Sequence, residues 1–149
     1  VVTTVLPTSE LEGRTWRYVT DEPAASWQAP EFDDRAWQTG AAPFVGGKPE
    51  GVPARTPWTS PHIWIRQAFD WAGGGVDGLH LVLTHDEDAS IFVNGVEAAS
   101  VPRNSTGYVM VPVAPDAARA LKQGRNVIAV HCRQTKGAQA IDVGLVLVR

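Results

Sequence analysis

The stretch HIWIRQAFDW, residues 62–71, decides the fold class. Successive side chains of a β-strand point to opposite faces, and three apolar side chains here fall on one face: Ile63, Ile65 and Phe69. Aromatic and β-branched residues, which suit a pleated and half-buried surface, make up half of the stretch. The pattern therefore predicts a strand with one face in a hydrophobic core and with Trp64 and Arg66 on the opposite face.

Strand patterns of the same kind recur along the chain, separated by turns rich in glycine and proline. The predicted strands are 14–20, 62–71, 78–86, 89–95, 107–113, 125–135 and 140–149. The sequence predicts a single helix over residues 114–124, with Pro115 in its first turn and Gly124 at its C-terminal cap. Strands at this spacing with one short helix predict an all-β fold, a two-sheet antiparallel β-sandwich or jelly roll.

The alternation also predicts which side chains fill the core between the two sheets. The predicted buried set is Ile63, Ile65, Phe69, Leu81, Ile91, Val93, Ile128 and Val130. Cys132 has the same parity as Ile128 and Val130, so this single cysteine is predicted to be buried and slow to react. Asn94 and Gly95 predict a tight hairpin turn, because both residues tolerate the positive φ that such a turn requires.

Composition and charge limit the class of protein. The chain has 149 residues, 44% of them apolar, which suits one globular module. A net charge of -3 and basic residues scattered singly give no stripe for a phosphate backbone, and no apolar run is long enough to cross a membrane. The sequence therefore predicts no nucleic-acid partner and no membrane partner. Because the chain starts at Val1 without an initiator methionine, we expect residues 1–149 to be one module of a larger protein.

Four short motifs occur in an order that resembles a known class of domain: FDDRAW (32–37), IWIRQAF (63–69), DASIFVNG (88–95) and LKQGRNVIAV (121–130). The order is similar to that in the galactose-binding-like jelly-roll domains that accompany glycoside hydrolases, in particular the amino-terminal sugar-binding domain of the β-galactosidase and β-glucuronidase family. The resemblance covers residues 16–131. It implies a noncatalytic, galactose-binding-like β-sandwich that either binds carbohydrate or packs on a catalytic domain and contributes a loop to its active site.

The sequence HDED, residues 85–88, places one histidine and three carboxylates together. On a continuous strand, Asp86 and Asp88 would point to one face and His85 and Glu87 to the other. The glycine turn and distal glutamate of a calcium loop are absent, and adjacent carboxylates are too close in sequence to flank a glycosidic bond. A metal site and a catalytic pair are therefore less favoured than two other interpretations. Either the carboxylates fix a turn through backbone or arginine hydrogen bonds, or they accept hydrogen bonds from sugar hydroxyls.

Two predicted strands present polar and aromatic side chains on the face away from the core: Trp64, Arg66, His131 and Arg133. Aromatic rings stack on sugar rings, and guanidinium groups bind hydroxyls or carboxylates, so this set fits a carbohydrate platform. The alternative is a salt-bridge network in which one of the two arginines pairs with Asp86 or Asp88.

Residues 21–61 form a long segment between predicted strands and are rich in Trp, Phe, Gly and Pro. Long structured loops over a rigid sandwich often carry binding function. Trp58, in the sequence RTPWTSP, is surrounded by residues that break helices and strands. It is therefore predicted to be the most exposed tryptophan and a stacking surface for sugar.

Together these features predict a noncatalytic carbohydrate-binding module of a secreted or periplasmic polysaccharide-processing protein, with no cofactor and no metal. Its predicted partners are an oligo- or polysaccharide and a neighbouring catalytic domain in the same chain. The predicted carbohydrate-binding residues are Trp58, Trp64, Arg66, Asp86, Glu87, Asp88, His131 and Arg133. The alternative is a structural accessory domain that completes the active site of a neighbouring glycoside hydrolase without binding free sugar. A self-standing enzyme is a third hypothesis.

Overall fold

A computed structural model describes all 149 residues, with twelve β-strands and one α-helix. The strands are β1 (Val2–Leu6), β2 (Thr15–Val19), β3 (Gln38–Ala41), β4 (Phe44–Gly46), β5 (Thr56–Pro57), β6 (His62–Trp71), β7 (Leu79–Asp86), β8 (Asp88–Val93), β9 (Val96–Val101), β10 (Val109–Pro112), β11 (Gly124–Arg133) and β12 (Gln139–Val148). The helix, α1, is Pro115–Ala120. No helix is long and apolar enough to cross a membrane.

The strands form two six-stranded sheets. The first sheet has the order β10-β7-β12-β4-β5, with β1 also paired to β12. The second sheet has the order β3-β2-β6-β11-β8-β9. All pairs are antiparallel except β4 with β5. The predicted two-sheet antiparallel β-sandwich with one short helix is therefore confirmed.

The hydrophobic core lies between the sheets and includes all eight of the predicted core residues, each of them buried. The side-chain alternation of β6 and β11 therefore follows the predicted register. Segment 21–61 is more regular than predicted, because it contains β3, β4 and β5. These strands have two to four residues each, which is too short for a periodic pattern to reveal them.

The helix is shorter than predicted, and the predicted cap at Gly124 is wrong. Pro115 occupies the first turn as expected, but the helix ends at Ala120 because Leu121 adopts an extended backbone. Gly124, with φ +92°, instead begins β11. Gly124 does adopt the left-handed conformation expected of a capping glycine, but this conformation leads the chain into β11 and does not end the helix.

The predicted hairpin turn at Asn94 and Gly95 is confirmed, since both residues have positive φ, 49° and 83°. The Asn94 side-chain amide donates to the carbonyl oxygen of Ala120 at 2.8 Å and to Oδ1 of Asn126 at 2.9 Å. Its own Oδ1 accepts from the backbone N–H of Val127 at 2.9 Å. The turn is thereby tied to the end of α1 and to β11.

Cys132 is fully buried on the core side of β11. Burial raises the pKa of its thiol far above the usual range, and only the thiolate is a good nucleophile. We therefore expect a disulfide reagent such as DTNB to label the native chain slowly at pH 8, and to label it quickly once denaturant is added. Rapid labelling of the chain while its circular dichroism stays native would contradict this burial.

Candidate functional site

Arg66 projects from the outer face of the second sheet and is covered by residues 27–34. Its Nε donates to Oδ2 of Asp34 at 2.9 Å. Its two terminal nitrogens donate to three backbone carbonyl oxygens at 2.6–3.2 Å, those of Trp27, Ala29 and Phe32. The side chain is only 1% exposed. It therefore fixes a loop on the sheet and presents no donor to a ligand.

Of the two arginines considered as partners of Asp86 or Asp88, Arg66 is not the one that pairs with them. In the sheet register, Arg66 lies opposite Ala129 of β11, and Ala129 lies opposite Phe92 of β8. Asp88 is four residues away from Phe92 along β8, which is about 13 Å at the rise of a strand. The carboxylate that reaches Arg66 comes instead from Asp34 in the covering loop.

Three rings next to this covered region form a stack, which we call the histidine face: His62, Trp64 and His131. Trp64 and His131 are direct cross-strand neighbours, and their rings are parallel, with centroids 4.6 Å apart. The His62 and His131 rings also stack, at 5.1 Å. Trp64 is on the predicted outer side but is only 6% exposed, so the two imidazoles are the accessible part of the stack.

The two histidines are joined by a hydrogen bond between Nδ1 of His62 and Nε2 of His131, 2.9 Å apart. Burial, with smaller contributions from the nearby His62 and Arg133, lowers the pKa of His131 to about 4. His131 is therefore neutral at pH 7. A neutral imidazole has one donor and one acceptor nitrogen, which suits hydroxyl ligands better than charged ones.

Residues 86–88 form the carboxylate turn, at which the chain passes from one sheet to the other. β7 ends at Asp86 in the first sheet and β8 begins at Asp88 in the second. HDED therefore does not lie on one continuous strand, in agreement with the separate predicted strands 78–86 and 89–95. His85, which is buried, holds the turn with Nδ1 at 2.8 Å from the Glu87 carbonyl oxygen and 3.1 Å from that of Arg103.

Asp88 accepts two hydrogen bonds at the carboxylate turn. The backbone N–H of Arg103 donates to Oδ1 at 2.7 Å, and Nη2 of Arg133 donates to Oδ2 at 2.7 Å. These bonds, that from Arg103 first, hold the pKa of Asp88 below its usual range. The predicted pair between Arg133 and one of these carboxylates is thus confirmed, and both partners remain exposed.

The other two carboxylates have different surroundings. Glu87 accepts a hydrogen bond from the hydroxyl of Thr135. Asp86 is half-buried, and its pKa is raised by burial and by the neighbouring Glu87. The hypothesis that these carboxylates fix a turn through backbone or arginine hydrogen bonds is therefore confirmed for Asp88. No group of three or more His, Cys, Asp or Glu side chains in the chain is arranged to hold a metal ion.

Trp58 is not exposed, and that prediction is wrong. Its side chain is 2% exposed and belongs to the hydrophobic core. The backbone N–H of Trp58 donates to the carbonyl oxygen of Val45 at 2.9 Å, and the indole Nε1 donates to that of His62 at 3.2 Å. The loop after β5 therefore turns inward along β4, and the ring has no free face for a sugar.

The structure thus brings together only part of the predicted set. His131, Arg133, Asp88 and Glu87 meet near the start of β8, with His62 beside them. Sequence reasoning missed His62, although it has the same parity as Trp64 on β6 and could have been found from that pattern. Asp34 and Trp27 had no such signal, because they come from a segment without periodicity.

Two six-stranded sheets with a loop over one outer face form a β-sandwich. Solved structures of glycoside hydrolases contain the same fold. A β-glucuronidase 2 of Bacteroides uniformis matches with a TM-score of 0.65 and 17% identity, over 99% of this chain and 18% of that one. A glycosyl hydrolase family 2 member from Bacteroides cellulosilyticus matches with a TM-score of 0.62 and 16% identity, over 89% of this chain and 19% of that one.

A β-glucuronidase of Bifidobacterium dentium, complexed with coumarin-3-O-glucuronide, matches with a TM-score of 0.60 and 15% identity, over 92% of this chain and 21% of that one. The chain therefore spans about a fifth of the length of these enzymes and resembles one domain of each. A scan against protein-family profiles and a search of curated proteins give no match. The predicted likeness in fold to a domain of glycoside hydrolases is confirmed.

Proposed function

We propose that this chain is a noncatalytic module that works beside the catalytic domain of a glycoside hydrolase, in a secreted or periplasmic protein, and binds carbohydrate. The observation that carries the proposal is the fold match over 89–99% of this chain to a portion of about a fifth of each hydrolase. Most of each hydrolase chain therefore lies outside the portion that this chain matches. The proposed role is therefore to support binding and not to cleave.

The proposed contact surface consists of the histidine face and the exposed pair Asp88 and Arg133 beside it. The neutral imidazole of His131, a carboxylate and a guanidinium together offer both donors and acceptors to sugar hydroxyls. Each such hydrogen bond replaces one to water and contributes only about 0.5–1.5 kcal/mol net. We therefore expect weak binding that depends on several polar contacts, since no tryptophan of the chain is fully exposed for stacking.

Calorimetric titration of the chain and of the Arg133→Ala variant against a glycan panel tests this surface. We expect the variant to bind about tenfold more weakly, because a hydrogen bond to a charged group is lost. The melting temperature should change little, since both Arg133 and Asp88 are solvent-exposed. The matched control is Arg119→Ala, which removes an exposed arginine paired with Asp116 on α1.

Equal affinities of the parent and the Arg133→Ala variant would place the contact elsewhere. Release of reducing ends by the chain itself would overturn the noncatalytic role and favour the enzyme hypothesis.

Burial of Trp58, Trp64 and Arg66 favours a second candidate function. These side chains were predicted to contact sugar, and all three instead stabilise the fold. A module without an exposed aromatic platform can serve as a structural accessory domain that packs on a catalytic domain and binds no free sugar. Absence of binding to every glycan in the panel, with the fold intact, would favour this function.

A further inference from the structure

A cleft of about 700 Å³ lies beside the N-terminal segment, away from the histidine face. Its lining comes from residues 4–15, from Gln67 of β6 and from Val82 and Val146 of the first sheet. Its volume is within the roughly 300–1,000 Å³ of small-molecule sites. None of the residues that were predicted to bind carbohydrate lines this cleft.

The wall of the cleft is held in place by contacts with β12. The backbone N–H of Ser9 donates to Oδ2 of the buried Asp142 at 2.9 Å, and the N–H of Arg14 donates to Oγ of Ser9 at 2.9 Å. Gly144 permits a close approach, since a Cβ there would lie 2.6 Å from the Leu6 carbonyl oxygen. The segment therefore lies directly on the sheet and gives the cleft a fixed shape.

Gln67 provides a polar group with unused hydrogen-bonding capacity in the lining. Its side chain is 9% exposed, and its Oε1 accepts from Nε of Arg14 at 3.2 Å. Its Nε2 has no acceptor within the protein. A buried N–H without a partner costs about 1–3 kcal/mol, so a ligand that draws this amide into the cleft and accepts its hydrogen bond would relieve this cost.

The charges in the lining favour a neutral ligand. Glu10 and Glu12 contribute two carboxylates, and Arg14 contributes one guanidinium that already donates to Gln67. An acidic sugar would therefore meet net negative charge. The remaining lining includes the threonines Thr4, Thr8 and Thr15 together with aliphatic side chains such as Leu6, Val82 and Val146. Mixed donors and acceptors over an aliphatic surface suit the hydroxyls and C–H groups of a sugar.

We propose that this cleft is a second carbohydrate site that takes a short neutral oligosaccharide, with Gln67 donating to a hydroxyl and with Glu10 and Glu12 accepting from others. This inference rests on the proposed carbohydrate-binding function. It differs from that function in its location and in the class of sugar that it selects, since a uronic acid is disfavoured by the two carboxylates.

The test is calorimetric titration of the chain with neutral cello-, xylo- and manno-oligosaccharides and with an acidic oligogalacturonate. Two variants alter the cleft: Gln67→Leu, which keeps the volume and removes the amide, and the double change Glu10→Ala with Glu12→Ala. Both glutamates are exposed, so the double variant should fold normally even if Gln67→Leu does not. The matched control is Glu97→Ala, which removes an exposed carboxylate on β9.

A neutral oligosaccharide should bind more tightly than the acidic one. Each cleft variant should lower the affinity for the neutral oligosaccharide about 2- to 10-fold, the equivalent of one hydroxyl hydrogen bond. Glu97→Ala should leave that affinity unchanged. If neither cleft variant changes any affinity while Arg133→Ala does, the cleft inference is wrong and the proposed function stands. If no glycan binds at all, carbohydrate binding is wrong at both places. Tighter binding of the acidic sugar, lost in the cleft variants, would overturn the neutral class.

Discussion

Replacing Arg66 with alanine is expected to lower the free energy of unfolding by about 3–5 kcal/mol, because it removes one partner of a buried charged network. The guanidinium is 1% exposed and binds the Asp34 carboxylate and three backbone carbonyls of residues 27–34. Without it, these oxygens lose their donors while the loop still covers them. For a chain of this length, the melting temperature should fall by roughly 6–20 °C.

The control for Arg66 is Arg35→Ala, in the same part of the chain. Arg35 pairs with Asp33 in full contact with solvent, so its removal should leave the melting temperature nearly unchanged. A specific readout is trypsin cleavage after Arg35, which should accelerate in Arg66→Ala at temperatures where the sandwich is still folded. Equal melting temperatures and equal cleavage rates for parent and Arg66→Ala would contradict the role of Arg66 in fixing the loop.

The elements that the sequence predicts well are those whose side chains alternate over many residues. β6 and β11 each have ten residues, and their apolar positions identify the core face without any tertiary information. Short strands such as β5, with two residues, have no period to detect. They form because neighbouring strands position them, so their prediction requires the folded structure.

The candidate site is predicted less well than the fold, because parity assigns a side chain to a face but does not show what covers that face. Trp64 and Arg66 lie on the predicted outer side of β6, yet a stacked ring covers one and residues 27–34 cover the other. Arg133 and Asp88 lie at strand ends, where no loop covers them. The sequence predicted their pairing only as one of several arginine–carboxylate combinations, and the register of β8 against β11 selects it.

Trp58 shows the same difficulty in a loop. Glycine and proline around it indicate the absence of a long strand, and an irregular segment is usually at the surface. Here the loop after β5 lies alongside β4, and its backbone hydrogen-bonds to Val45. Such a loop can place a large ring in the core, and nothing local in RTPWTSP distinguishes that arrangement from an exposed one.

Changing Trp58 to alanine is therefore expected to destabilise the fold by about 3–5 kcal/mol, the usual cost of removing a large aromatic side chain from a core. Trp58→Phe should cost less, because it keeps an aromatic ring in place and loses the hydrogen bond from Nε1 to the His62 carbonyl oxygen. Denaturant unfolding of the parent and both variants measures these differences.

The hydrogen bond from Trp58 Nε1 also joins the ring to the backbone of the histidine face, so Trp58→Ala should disturb glycan binding only to the extent that the chain unfolds. A Trp58→Ala variant with parental stability and selectively weakened glycan affinity would instead indicate an accessible ring, contrary to its burial in the core.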